Sequence, residues 1–199
     1  PYRRYAGKQD QGSGERTEVL SSAFLPGCRI SHMPRLRRLI PTGKVFFVTT
    51  NLRRGLRHWT PGERAILCKV LHAVRARRDF RLAGFMIMPD HAHWLALPRP
   101  EDTLSTIVQQ WKRISAMKIN SLRRTRETLW QKGFFDRFMR TPQEFLETLE
   151  YIHQNPVRKG MVAIPTDWDW SSARAYAGDE CIIKIDFLNL PAQTEKPLP

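Results

Sequence analysis

GFMIMPDHAHWLALP, residues 84–98, carries the clearest strand signal in the chain. Leu82–Met88 and His91–Leu97 are apolar runs of strand length, parted by Pro89-Asp90 and closed by Pro98-Arg99-Pro100. Such punctuation reads as two strands joined by a tight turn. Side chains alternate along a strand, so His91 and His93 point to the same face. Upstream, KVFFVTTN (residues 44–51) has the β-branched and aromatic content of a buried strand. Thr60-Pro61-Gly62-Glu63 is a capping box with proline at the first helical position, and predicts a helix to about Arg78. Its apolar residues Ile66, Leu67, Val70, Leu71 and Val74 recur at helical spacing.

Downstream, Leu104–Arg124 predicts a second long helix, with Leu104, Ile107, Val108, Trp111, Ile114 and Met117 in its stripe and Lys112, Arg113 and Lys118 outside it. Gly133–Arg140 offers a fourth short strand. A second capping box, Thr141-Pro142-Gln143-Glu144, opens a third helix that is expected to stop near Asn155, because Pro156 disfavours helical geometry before it. Residues 1–32 are rich in Gly, Ser, Gln and Arg without periodicity and are expected to be a disordered extension; Met33 is a plausible alternative start. The domain is expected over residues 33–178, with a tail at 179–199 that has little fixed structure. Trp168 and Trp170 are expected to pin the end of the domain by packing, with stacking on unpaired bases as the other reading.

A chain of 199 residues is one ordinary domain, long enough to bury a core without staples. Its longest apolar runs, such as Val45–Val48, exclude a membrane-spanning helix. The three cysteines, Cys28, Cys68 and Cys181, are odd in number and in no C-x-x-C spacing, which suits a reducing cytoplasm. The 33 Lys and Arg outnumber the 19 Asp and Glu, for a net charge of +14. A surface of that sign attracts phosphate backbones, which makes nucleic acid the first-choice partner. Arg35, Arg37 and Arg38 form a basic arm; Arg53, Arg54 and Arg57 follow the first strand, Lys112 and Arg113 lie on the second helix, and Arg158 and Lys159 follow the third. Each of these is a candidate phosphate contact or a solvated surface charge.

Two imidazoles on one strand face hold a divalent metal, or are simply satisfied histidines; H-x-H alone decides nothing. On the third helix Phe145, Leu149 and Ile152 share one side, while Tyr151 falls nearly opposite with Thr148 and Asn155. Asn155 is one turn from Tyr151, which pairs a nucleophile with an amide oxygen donor, or a surface tyrosine with a helix-capping asparagine.

Five stretches together carry a family resemblance: FFVTTNLR (46–53), GFMIMPDHAHWLALP (84–98), WQKGFFDR (130–137), YIHQNPVRKGMV (151–162) and DWDWSS (167–172). From about Met33 to Ser172, in order, the chain resembles the REP-associated tyrosine transposases, HUH single-tyrosine endonucleases related to the transposases of the smallest insertion sequences. The resemblance implies an α+β fold, a central antiparallel sheet with helices packed on it, with which the strand and helix order agrees. It implies His91 and His93 as the metal-binding pair, Asn155 as the residue completing the site, Tyr151 as the nucleophile, and Mg²⁺ or Mn²⁺ as the cofactor. The implied activity is nicking and rejoining of single-stranded DNA through a 5′-phosphotyrosine, on hairpins formed by repetitive extragenic palindromes, in the bacterial cytoplasm at the nucleoid, by a monomer or homodimer. A relaxase would place its tyrosine near the N-terminus, where only Tyr2 and Tyr5 stand, and a two-tyrosine initiator would need tyrosine at Asn155. A domesticated hairpin-binding protein that does not cut is the rival from another class.

Overall fold

The structure, a computed structural model, describes residues 43–188. Four strands form one antiparallel sheet: β1 (Phe46–Asn51), β2 (Arg81–Ile87), β3 (His91–Leu97) and β4 (Phe135–Phe138), in the order β2-β3-β1-β4. The β2–β3 hairpin is the one expected from residues 82–97. Its turn is closed by Met88 N–H donating to His91 O at 2.8 Å.

Alternation divides the sheet into two faces. One carries Phe46, Val48, Leu82, Phe85, Ile87, Ala92, Trp94 and Ala96, packed with α1 (Pro61–Arg78) and α2 (Leu104–Arg123). The other carries Phe47, Met86 and Leu95, over which α3 (Pro142–Arg158) lays Phe145, Leu149 and Ile152. His91 and His93 share the parity of Leu95 and so face α3. Gly84 explains how closely the helix sits, because a Cβ there would come within 2.7 Å of the Leu149 Cδ1 atom.

Both helices start where the sequence places their caps, but only the first has a full capping box; at the second the Glu144 side chain accepts from Arg140 N–H and not from Thr141 N–H. Thr60 Oγ1 accepts from Glu63 N–H while Glu63 accepts from Thr60 N–H, and Thr141 Oγ1 accepts from Glu144 N–H. Glu63 also closes an ion-pair cluster, accepting from Arg57 at 2.8 Å and Arg123 at 2.6 Å. Burial alone would raise its carboxyl, but hydrogen bonds from Arg123 and Arg57 overcome this and hold it at about 2.

Four sequence expectations are corrected. Met117 does not join the buried stripe of α2; near the end of the helix its side chain is exposed. The third helix does not stop near Asn155; it runs to Arg158 with Pro156 inside its last turn. Proline removes one donor there, but Asn155 and Pro156 are both buried, and the turn is closed by Lys159 N–H to Asn155 O and Met161 N–H to Pro156 O. Nor do Thr148 and Asn155 lie away from the core, since both are only 6% exposed. The helix lies flat on the sheet, so its buried face is wider than the Phe145-Leu149-Ile152 stripe. Finally, residues 179–188 do not lack fixed structure: Ile183 and Ile185 are buried, and Asp186 accepts from Leu82 N–H and from Arg75, while residues 189–199 of the expected tail lie outside the described residues.

The remaining tail residues behave as packing. Trp168 is buried and its Nε1–H donates to Ile87 O, and the Arg64 guanidinium lies 4.0 Å from the Trp170 ring centre. Ser172 ties this segment to both the sheet and α3, accepting from Phe85 N–H at 3.0 Å and meeting His153 Nε2 at 2.7 Å. Residues 1–32 and the arm of Arg35, Arg37 and Arg38 lie outside the described residues. Among the described residues no helix is long and apolar enough to cross a membrane.

Candidate active site

Strand register assembles the site. On the α3 face β3 places His93 opposite Thr49 and His91 opposite Asn51. Thr49 Oγ1 lies 2.8 Å from His93 Nδ1, and the His93 ring stacks on Phe47 with centres 5.1 Å apart. The two imidazoles meet edge to face at 4.8 Å. His91 Nδ1 lies 2.7 Å from the Asp90 carboxylate.

These contacts constrain the protons. The hydrogen bond from His91 is the main reason that Asp90 is held below the usual carboxylate range, and a carboxylate only accepts. His91 Nδ1 is therefore the donor. His93 is 5% exposed, and its burial, followed by the charge of His91, pushes its imidazole down to about 3. It is a neutral base at physiological pH. Its Nδ1 is engaged by the Thr49 hydroxyl, which leaves Nε2 for another partner.

The helix brings the third component. Tyr151 is half-buried, its ring 5.9 Å from His93 and 6.4 Å from Phe47, and the Arg158 guanidinium stands 5.5 Å from the same ring. Asn155, one turn on, is buried on the same helix flank. Two imidazoles, a phenol and a guanidinium thus gather on one sheet face, with the Asn155 amide one turn along the helix that carries the phenol. Among the described residues no cluster of three or more His, Cys, Asp or Glu is set to hold a metal.

The expected phosphate contacts separate by position. Arg158 is brought to the tyrosine, and Lys159 caps the same helix at the surface. Arg53 and Arg54 are exposed and line a cavity that includes Asp90. Arg57 is committed to Glu63. Lys112 and Arg113 lie on α2, across the sheet from the histidines. Lys112 donates to Gln131 O at 2.6 Å and Gly133 O at 2.7 Å, and burial lowers its ammonium to about 8. It ties the segment leading into β4 to α2, a structural use that the sequence reading as a phosphate contact did not anticipate.

Thr49 and Asp90 were not singled out from the sequence. Asp90 had one signal, its place directly before His91, but it reads equally as a turn residue. Thr49 had none, because only the β1–β3 register brings it to His93.

Comparisons with known proteins bear on the family and the fold. A family model described as "Transposase IS200 like" matches residues 45–155, a span that contains both histidines, Tyr151 and Asn155. The chain is 26% identical over 141 residues to the REP-associated tyrosine transposase of Escherichia coli K12, covering 70% of this chain and 82% of that one. It is 28% identical over 103 residues to a putative REP-associated tyrosine transposase of Haemophilus influenzae, covering 47% of this chain and 58% of that one. Its fold is similar to a solved REP-associated tyrosine transposase bound to a REP hairpin, with a TM-score of 0.64 at 23% identity over 84% of this chain and all of that one. With the matched span taking in more than half of its residues, the chain belongs to the IS200-like transposase family.

Proposed function

We propose that the chain is a metal-dependent single-stranded DNA endonuclease and strand transferase, acting on hairpins of repetitive extragenic palindromes through a covalent 5′-phosphotyrosine at Tyr151. The observation that carries the reading is the 5.9 Å approach of the Tyr151 ring to a His93 that is buried, neutral and held at Nδ1. The names of the relatives, and the hairpin bound by the solved one, support the substrate class.

The donor set fits a divalent ion. Metal-ligating histidines generally engage their second ring nitrogen with a carboxylate, hydroxyl or carbonyl, as both imidazoles do here through Asp90 and Thr49. His91 Nε2, His93 Nε2 and the Asn155 amide oxygen would hold Mg²⁺ or Mn²⁺, and two imidazoles favour Mn²⁺. When bound, the ion supplies positive charge that polarises the scissile phosphate.

The chain's own groups do the rest. Tyr151 Oη attacks phosphorus, the bond from phosphorus to the 3′-oxygen breaks, and the phenolic proton ends on the released 3′-hydroxyl. Arg158 is placed to neutralise phosphate beside the tyrosine. The phosphotyrosine keeps the diester's energy, so a 3′-hydroxyl attacking it rejoins DNA and restores the phenol. Single strands are the substrate because a half-buried tyrosine laid against a sheet does not reach a phosphate inside a stiff duplex. Action on genomic DNA puts the protein in the cytoplasm at the nucleoid.

Incubation with a hairpin oligonucleotide and Mn²⁺ should give an adduct that survives SDS, and Tyr151→Phe should bind the hairpin with unchanged affinity and form none. Cleavage by Tyr151→Phe at the wild-type rate would transfer the nucleophile to water or another residue and sink the mechanism. Wild-type protein that binds the hairpin with no adduct would leave a DNA-binding protein that does not cut.

A further inference from the structure

Beside the histidines lies a cavity of about 270 Å³ that the mechanism above does not use. Asn51, Arg53, Arg54, His58, Asp90 and Gln131 supply its polar lining. Its frame is rigid. Leu52 N–H donates to Asp90 O at 2.7 Å, Arg53 N–H to Leu129 O at 2.8 Å, and Gln131 N–H to Asn51 O at 2.9 Å. The Gln131 side-chain amide adds a bond to Leu52 O at 3.0 Å. The loop after β1 is thus tied to both the β2–β3 turn and the segment before β4.

Three features identify what this cavity takes. Its volume falls just below the roughly 300–1,000 Å³ of sites for drug-sized ligands, which suits one nucleotide and excludes a duplex. Its cations are uncommitted: among the described residues neither Arg53 nor Arg54 forms a side-chain ion pair, whereas neighbouring Arg57 is held by Glu63. Its remaining polar groups, two amides, an imidazole and a carboxylate, present both donors and acceptors, the mixture that reads a base edge. Asp90 is common to the cavity and to the His91 hydrogen bond, so the cavity shares a wall with the candidate metal site.

We infer that this cavity binds one unpaired nucleotide adjoining the scissile phosphate, with its phosphate against Arg53 and Arg54 and its base edge against the amides of Asn51 and Gln131. The inference rests on the proposed action on single-stranded DNA and adds to it a place where sequence next to the cut is read by the protein. A strand held at the cavity cannot slide past Tyr151, so the same contact that reads the base also selects which phosphate is attacked.

The test measures binding alone, in chelator, so that it does not depend on cleavage. Hairpins with a single-stranded flank carry an abasic site at each position around the cut in turn, and affinity is read by fluorescence anisotropy. One adjoining position should show a loss of about tenfold, equivalent to about 1.4 kcal/mol. In Asn51→Ala, checked by thermal melting, that loss should shrink to under about twofold while penalties at other positions stay unchanged, since only groups in direct contact couple. Arg54→Ala, an exposed position whose truncation spares the fold, should instead weaken every probe alike and flatten the salt dependence, as loss of a phosphate contact does. If the abasic penalty persists undiminished in a folded Asn51→Ala protein, the cavity does not read a base and the nucleotide site is refuted. Coupling without any covalent adduct would uphold the site while sinking the cleavage chemistry; a wild-type protein that binds no hairpin would overturn both.

Discussion

Thr49 joins His93 through a contact that no sequence spacing reveals, because the two residues are 44 positions apart and meet only across the β1–β3 register. His91, His93, Tyr151 and Asn155 were legible for the opposite reason. Their relations are local, two residues along a strand and four along a helix, and backbone geometry alone fixes such pairs on one face. What the sequence could not supply was the position of that helix against that strand. The contact predicts that Thr49→Val, which keeps the side chain's shape and deletes its oxygen, leaves His93 Nδ1 unpaired in a buried place. Calorimetric titration with Mn²⁺ should show affinity lowered by about 10- to 100-fold, the usual cost of losing an outer hydrogen-bond partner of a ligating histidine. Unchanged Mn²⁺ affinity in a folded Thr49→Val protein would show that His93 is not a ligand held by this bond.

Helices and strands were readable where local signals agreed with packing, as at Thr60-Pro61-Gly62-Glu63, and misread where packing overrode them. At Pro156 the proline signal is real, but burial of Asn155 and Pro156 against the sheet carries α3 on to Arg158. Gly84 sets how near that helix sits. Gly84→Val should cost about 1–3 kcal/mol through overpacking against Leu149 and Ile152, and because α3 carries Tyr151 it should slow adduct formation more than it weakens hairpin binding. Denaturant titration and adduct kinetics on the same protein separate the two effects. At the start of α1, Glu63 gives a pH-dependent prediction. Its carboxyl is held at about 2 against an ordinary value of 4.5, so the stabilisation it provides is fully present above 4.5 and is lost as pH falls through about 2. Glu63→Gln should therefore be less stable than the parent by about 3 kcal/mol at pH 7, with the two stabilities converging as pH falls from 4.5 towards 2. A gap independent of pH over that range would show that the cap geometry, and not the charge held by Arg123 and Arg57, is what Glu63 contributes.

The net charge of +14 pointed to nucleic acid before any motif was read, but charge has no address; the structure commits Arg57 and Lys112 to partners of the protein's own and leaves Arg53, Arg54 and Arg158 near the candidate site. The limits of the folded unit were likewise only partly legible. Composition marked residues 1–32 as unlike a core, whereas nothing periodic in residues 179–188 announced Ile183 and Ile185, whose burial comes from a segment packing as irregular chain. The two ends should therefore respond differently to truncation. A chain ending at Gly178 loses both isoleucines, each of a kind whose truncation costs roughly 2–5 kcal/mol, together with Asp186, which pairs with Arg75 and covers Leu82 N–H. Its melting temperature should fall by about 10 °C or more. A chain beginning at Met33 should melt within a few degrees of the parent and bind the hairpin within about tenfold, or 1.4 kcal/mol, since the family match begins only at residue 45. Replacing Arg35, Arg37 and Arg38 with alanine in that shorter chain should then flatten the dependence of affinity on salt, by about 0.7–0.9 in logarithmic slope for each phosphate contact removed. If deleting residues 1–32 alone weakens binding by more than tenfold, the extension belongs to the DNA-recognition surface and the domain starts before Met33.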